Sequence, residues 1–385
     1  MSAPKEKRAL SQIGGPVRTE GRAAALADAW AAASTEDPDT LTHGFHPWPA
    51  RMHPAIARVI LERSGATEIA DPFCGAGTTL IEARVAGAAS LGVDLNPLAV
   101  RLARLKASVP SRASREAFVE TAAAVASRSE ARVRGRVPIQ VTLPRHELAF
   151  WDAHVLKELG GLRDEIRAVE KREERYALAM VFSSILTKVG RQRSETQEDL
   201  QPRRIRKGLA TELFLRRAKE LSERWAALAE VAKGPPPDVI EGDARRLPSH
   251  ARGRRFDLVL TSPPYGGTYD YASHHARRMA WLELDDSALR KQEIGARRRM
   301  GHDDARVRWD HEVGAMLRAC GKVLRPDGAV VLVMGDARLG DEVVRVPEQL
   351  ARLAPPAGLE LVGVASQARH GGREEHILRL TPTAR

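Results

Sequence analysis

Cysteine is nearly missing: Cys74 and Cys320 are the two in 385 residues. Two thiols cannot build a disulfide framework, and neither sits in a zinc-ligand spacing, so a reducing, cytoplasmic setting is expected. The histidines, among them His43, His46, His53, His274 and His275, form no H-E-x-x-H pattern and have no cysteine partners, and no metal is expected. No run of about 18 apolar residues exists to cross a membrane. The opening MSAPKEKRALSQIGGPVRTE lacks the apolar core of a secretion signal and reads as a mobile basic tail over residues 1–20. Internal repeats and long low-complexity tracts are absent too. Acidic residues are the minority charge, 50 against 61 Lys+Arg, and the formal charge of +11 makes polyanions natural partners.

The apolar pattern gives the layout. GRAAALADAWAAAS, residues 21–34, is alanine-rich enough for a short helix. HGFHPWPARMHP follows at residues 43–54, dense in proline, histidine and aromatics. TEIADPF, CGAGTT, LIEARVAGA, SLGVDL and NPLAVRLARLKA then read as strand, glycine loop, helix, strand and helix, a βαβ unit of the nucleotide-binding kind. Between residues 111 and 234 the alternation stops. Trp151, Val155, Leu159, Leu162, Ile166 and Val169 recur at three and four. So do Leu178, Val181, Ile185 and Val189, and then Phe214, Ala218, Leu221, Trp225 and Leu228. This stretch reads as a helical insertion.

KGPPPD, residues 233–238, is a stiff return to strand logic. VIEGDARRL, RRFDLVLTSPPY and RPDGAVVLVMGD supply further strands, and WDHEVGAMLRACGKVL, residues 309–324, a helix. GLELVGVASQARHGGREEHILRL, residues 358–380, gives two more strands around a loop with Gly371 and Gly372. The expected fold is α/β, a Rossmann-like sheet of seven strands. Three or four of these are parallel and the last two antiparallel. Residues 21–110 and 235–385 form the sheet domain, with the helical insertion at 111–234 between them.

Within DPFCGAGTT, residues 71–79, Gly75 and Gly77 stand between a strand and a helix, where a missing Cβ lets the backbone turn tightly and approach a ligand. Asp94 ends the next strand 23 residues after Asp71 and can accept hydrogen bonds from two ribose hydroxyls, which suits an adenosine-type cofactor. A dinucleotide site usually has a third glycine where Leu80 stands, and Asp71 repels phosphate while suiting an ammonium. S-adenosylmethionine carries an amino group, a sulfonium and no phosphate, so it explains Asp71 better than a nicotinamide dinucleotide does.

In FDLVLTSPPYG, residues 256–266, an apolar strand meets Ser262-Pro263-Pro264-Tyr265. Proline cannot donate to a ladder, so the pair lies just past the strand, at the carboxyl edge where open α/β sheets bind ligands. DPFCGAGTT, GVDLNP, EGDARRL and TSPPY, in that order, resemble the S-adenosylmethionine-dependent DNA amino-methyltransferases over roughly the sheet-forming half of the chain. The resemblance implies a seven-stranded methyltransferase sheet, with Asp71, Phe73, Gly75 and Gly77 around the methionine moiety, Asp94 at the ribose and Asp243 at the adenine amino group. HPWPARMHP resembles the segment that closes over the methionine end, where His46 and Trp48 either close the pocket or pack. Serine at the first position of the transfer motif resembles cytosine-N4 members more than adenine-N6 ones. One departure stands out: the insertion precedes the EGDARRL strand, whereas familiar members insert after it.

The transfer motif also has a chemical argument. An exocyclic amine is a poor nucleophile because its lone pair is delocalised into the ring. The Ser262 hydroxyl and the Pro263 carbonyl can accept its hydrogens, while Pro263 and Pro264 hold the geometry rigid. Tyr265 offers a face for a flipped-out base, and Tyr269 or Tyr271 can line the pocket. No cysteine stands beside the prolines, as ring-carbon methylation would need; Cys74 reads as a space-filler.

Two basic loops are candidates for DNA contact, residues 188–208 with Arg203 and Arg204, and residues 293–308 with Arg297, Arg298 and Arg299. The first, in the insertion, is the candidate for target recognition. Double-stranded DNA with its target base flipped out is the expected substrate, and a cognate restriction endonuclease a candidate partner. Two alternatives stay open: an RNA methyltransferase of the tRNA guanine-amino type, and a nucleic-acid-binding module without catalysis.

Overall fold

The computed structural model describes residues 15–139, 143, 145–191, 204–300, 304–368 and 373–383. Its ten strands are β1 (Arg18–Gly21), β2 (Glu68–Asp71), β3 (Ala89–Asp94), β4 (Asp238–Glu241), β5 (Phe256–Thr261), β6 (Leu324–Gly335), β7 (Ala337–Leu339), β8 (Glu342–Val344), β9 (Leu359–Ala368) and β10 (Glu374–Pro382). Eight of them form one sheet in the order β1-β9-β10-β6-β5-β2-β3-β4, while β7 and β8 pair as a small hairpin. The run β4-β3-β2-β5-β6 is parallel, and β10, β9 and β1 are antiparallel. The α/β, Rossmann-like expectation holds. Five strands are parallel rather than three or four, and β1 adds an eighth.

That eighth strand corrects the tail expectation for residues 18–20, which with Gly21 pair with Gly363–Ser366 of β9. Nothing in RTEG signals a strand, since all four residues are exposed; backbone pairing with β9 and an ion pair from Arg18 to Glu374 of β10 hold it. Residues 1–14 of the expected tail lie outside the described residues.

Period-two alternation sorts the core onto two faces. Leu258 and Leu260 of β5 join Trp30, Ile56 and Ile60 on one side. Val259 joins Val93, Trp309 and Leu332 on the other. A third cluster fills the helical stretch between β3 and β4, where helices Arg112–Arg134, Ala153–Arg167, Arg172–Ile185 and Leu209–Val231 bury Phe118, Trp151, Leu159, Val181, Phe214 and Trp225 together. Every apolar position named above at three-and-four spacing in this stretch is buried. Among the described residues no helix is long and apolar enough to cross a membrane.

Candidate active site

The carboxyl ends of β2, β3, β4 and β5 meet at one cleft. Asp71, Phe73, Gly75, Asp94 and Asp243 line it, as do Ser262 and Pro264. Residues about 190 positions apart thus face one space.

Asp71 and the transfer loop are tied directly. The Thr261 hydroxyl donates to Asp71 Oδ1 at 2.6 Å, and the Phe73 N–H reaches both Asp71 Oδ1 at 3.1 Å and Thr261 Oγ1 at 3.2 Å. Asp94 is positioned from two loops, accepting the Gly75 N–H at 2.9 Å and the Asn96 N–H at 2.8 Å. Asn96 also caps the next helix, Pro97–Lys106, through its side chain, so the Asn-Pro step starts that helix and aims the acid at once. Gly75 has φ +48°, and a Cβ there would lie 3.1 Å from Trp48 Nε1. Trp48 covers the cleft and stacks on His275 at 4.5 Å.

Burial sets the electrostatics. It lifts the Asp71 carboxyl to about 6 against the hydrogen bonds it accepts, and the Asp94 carboxyl to about 7. Four acids, Asp71, Asp94, Asp243 and Glu293, line the cleft. Its one basic side chain, Arg51, is tied to Asp39 and to the carbonyls of Pro38 and His43. This donor set suits a ligand with ammonium, sulfonium and hydroxyl groups and opposes a pyrophosphate. S-adenosylmethionine fits it: Asp71 and the Phe73–Ala76 loop would hold the methionine part, and Asp94 the ribose.

The pH dependence of cofactor binding follows. Below their raised pKa values the two carboxyls are neutral in the free cleft, and a cationic ligand requires them ionised. Affinity should therefore rise with pH and level off above about 8, falling about fivefold from pH 7 to pH 6 through Asp94, about tenfold with the share of Asp71, and faster below pH 6. Calorimetry across that range in two buffers reads both affinity and protons released. A flat profile would remove the carboxylates from binding.

Several expected residues are placed differently. Gly77, at φ +90°, does not line the cleft; a Cβ there would lie 2.9 Å from Ala103 Cα, so this glycine permits helix packing. Arg245 occupies both oxygens of Asp243 through its backbone N–H and its guanidinium, so an adenine contact is shared with that pair. Pro263 is buried behind the cleft wall. Tyr265 is 5% exposed, packs in the core cluster with Trp309, and donates its hydroxyl to Glu375 of β10. Its ring therefore presents no open face for a base; Tyr271 is the tyrosine that lines the cleft.

The arginine row is also partly internal. Arg298 bonds Asp270, Glu293 and the Arg290 carbonyl, and Arg299 reaches the Glu293 carbonyl and Glu312. Arg297 is exposed, as is Arg204. Arg203 and most of the loop at 188–208 lie outside the described residues.

Sequence reasoning missed Thr261, Asn96 and Glu293. Glu293 is buried, accepts the Tyr271 N–H at 2.6 Å, and is raised by that burial against the Arg298 and Tyr271 donors. The histidines serve packing: His43 bonds Glu82, His53 caps helix Pro54–Ser64, and His46 meets Ser183 Oγ at 2.9 Å and Arg278. Among the described residues no three metal-ligating side chains gather.

Residues 45–126 match the family described as UPF0020, RMKL-like, methyltransferase domain. The match spans the cover segment, Asp71, the glycine loop and Asp94. Together with the cleft it supports an S-adenosylmethionine-dependent methyltransferase. Among known proteins the chain is similar to the type II methyltransferase M.MvaI of Kocuria varians, 26% identical over 264 residues, which are 63% of this chain and 58% of that protein. It is also similar to the type II methyltransferase M.MjaII of Methanocaldococcus jannaschii, 35% identical over 66 residues, 17% of this chain and 12% of that one. The chain thus spans less than two thirds of either relative. Among solved structures, TrmN from Thermus thermophilus has a TM-score of 0.33 at 15% identity over 86% of this chain and 49% of that one, too low to bear on function.

Proposed function

We propose that this protein methylates DNA at the exocyclic amine of a base, cytosine N4 in preference to adenine N6, with Ser262 at the transfer site. The observation that carries the reading is the convergence of Ser262 and Pro264 with Asp71 and Asp94 on one cleft. Its similarity to two type II methyltransferases supports a nucleic-acid substrate and makes a cognate restriction endonuclease the partner to seek.

Bound S-adenosylmethionine supplies an activated methyl group on a sulfonium, so no covalent enzyme intermediate is needed. Ser262 lines the cleft with a hydroxyl that bonds no other described residue, leaving its lone pairs for the hydrogens of an incoming amine. The proline pair holds Ser262 at the strand's end, and an acceptor so fixed can aim the lone pair of the amine, a contribution of positioning. Cys74 also lines the cleft, but burial and the nearby Asp94 and Asp71 push its thiol pKa well up, so it is no thiolate nucleophile. That chemistry favours the amine over a ring carbon.

Expression in a host free of DNA methylation, followed by single-molecule sequencing, tests the reading. N4-methylcytosine at a defined sequence is expected. Methylation confined to adenine would shift the base, methyl groups on RNA alone would move the substrate class, and no product on either nucleic acid would overturn the proposal.

A further inference from the structure

A second cavity of ≈ 590 Å³ opens beyond the end of β4, between helix Pro97–Lys106 and helices Ala153–Arg167 and Arg172–Ile185 of the helical stretch. Six arginines line it: Arg101, Arg104, Arg163, Arg167, Arg172 and Arg175. Three carboxylates oppose them, Glu241, Glu283 and Asp285. Arg167 pairs with Glu283, and Arg163 with Asp164. The other four have no carboxylate partner among the described residues. Arg104 donates to the Val239 carbonyl at 2.6 Å and Arg175 to the Val169 carbonyl at 2.8 Å, bonds that fix direction without cancelling charge. Arg101 lies 5.9 Å from the centre of the Tyr176 ring, whose hydroxyl donates to the Arg101 carbonyl. Arg172 is exposed at the start of its helix, where the helix dipole adds to its positive charge.

This wall adjoins the cofactor cleft. Asn96 lines the cleft and Pro97 the arginine cavity; Asp243 lines the cleft and Glu241 the cavity. Guanidinium forks match phosphate oxygens in pairs, and six arginines against three carboxylates, four of the six in no ion pair among the described residues, exceed what one phosphate requires. We propose that this arginine cavity carries the sugar–phosphate backbone flanking the target base. The inference rests on the nucleic-acid reading above and moves the main electrostatic contact away from the Arg297–Arg299 row, two of whose members are held by the protein's own acids. The opposing carboxylates narrow the track and disfavour anions that do not follow the arginines.

Each phosphate neutralised releases counterions, so binding becomes steeply salt-dependent. Fluorescence anisotropy with a labelled DNA duplex across a potassium chloride series measures that slope on the full chain. Arg101→Gln with Arg172→Gln should reduce the log–log slope by about 1.8, near 0.9 per lost contact. Removing two charges elsewhere, Arg63→Gln with Arg318→Gln, should leave it within about 0.3 of the unaltered protein, less than one contact's worth. S-adenosylmethionine calorimetry on each variant, expected unchanged, shows that fold and cleft persist. An unaltered slope in the first variant overturns the cavity assignment and leaves the methyltransferase reading standing. Absence of binding by the unaltered protein to DNA and to RNA at low salt overturns both. Binding of RNA alone, with the same loss of slope, keeps the cavity and moves the substrate.

Discussion

Replacing Ser262 with alanine should slow methyl transfer at saturating cofactor by about 10²-fold or more, close to 3 kcal/mol of barrier, while S-adenosylmethionine affinity changes by less than about twofold. The separation is expected because Ser262 and Thr261 are neighbours with different duties. The Thr261 hydroxyl holds Asp71 at 2.6 Å and belongs to the cofactor half of the cleft. The Ser262 hydroxyl bonds no other described residue, and its removal disturbs no described hydrogen bond. Single-turnover transfer of a labelled methyl group to DNA from an unmethylated host reads the rate, and calorimetry reads the affinity. A loss below about threefold would take Ser262 out of the chemistry.

The second large effect concerns Tyr265. Truncation to alanine should lower stability by about 3–5 kcal/mol, the usual cost of deleting a buried aromatic. The phenylalanine variant should lose about 1–3 kcal/mol by leaving the Glu375 carboxylate, 4% exposed, without its donor. Urea denaturation midpoints distinguish this from the role expected from sequence. A base-stacking tyrosine would tolerate phenylalanine in both stability and activity, and its alanine variant would fold normally. The turn that follows makes the placement rigid, since a Cβ on Gly267, at φ +69°, would fall 1.7 Å from the Arg338 carbonyl oxygen.

The contrast between these two neighbours shows where sequence was sufficient. Ser262 was legible because its position depends on local rules: an apolar strand, a proline stop and the carboxyl edge of a parallel sheet. Asp71 and Asp94 were legible for the same reason, each closing a strand of one βαβ unit. Tyr265 was not, because its direction is set by Glu375, 110 residues onward, on a strand whose register with β6 no local pattern encodes. Arg298 looked free in a run of basic residues, yet Asp270 and Glu293 come to it through the fold. The arginine cavity gathers two residues from each of three helices, so no single charge cluster marked it in the chain. β1 had no apolar signal at all, because backbone pairing needs none.

The bond between Thr261 and Asp71 joins residues 190 positions apart, and the whole helical stretch is threaded between them. Closing so long a loop is entropically costly and comes late when a chain folds, because nearby contacts form first. The cleft therefore does not exist in a nascent chain that has emerged only through β3, even though the glycine loop and both of its acids are already out of the ribosome. Methyl-donor uptake should then report the docking of β5 beside β2 rather than the folding of the helices.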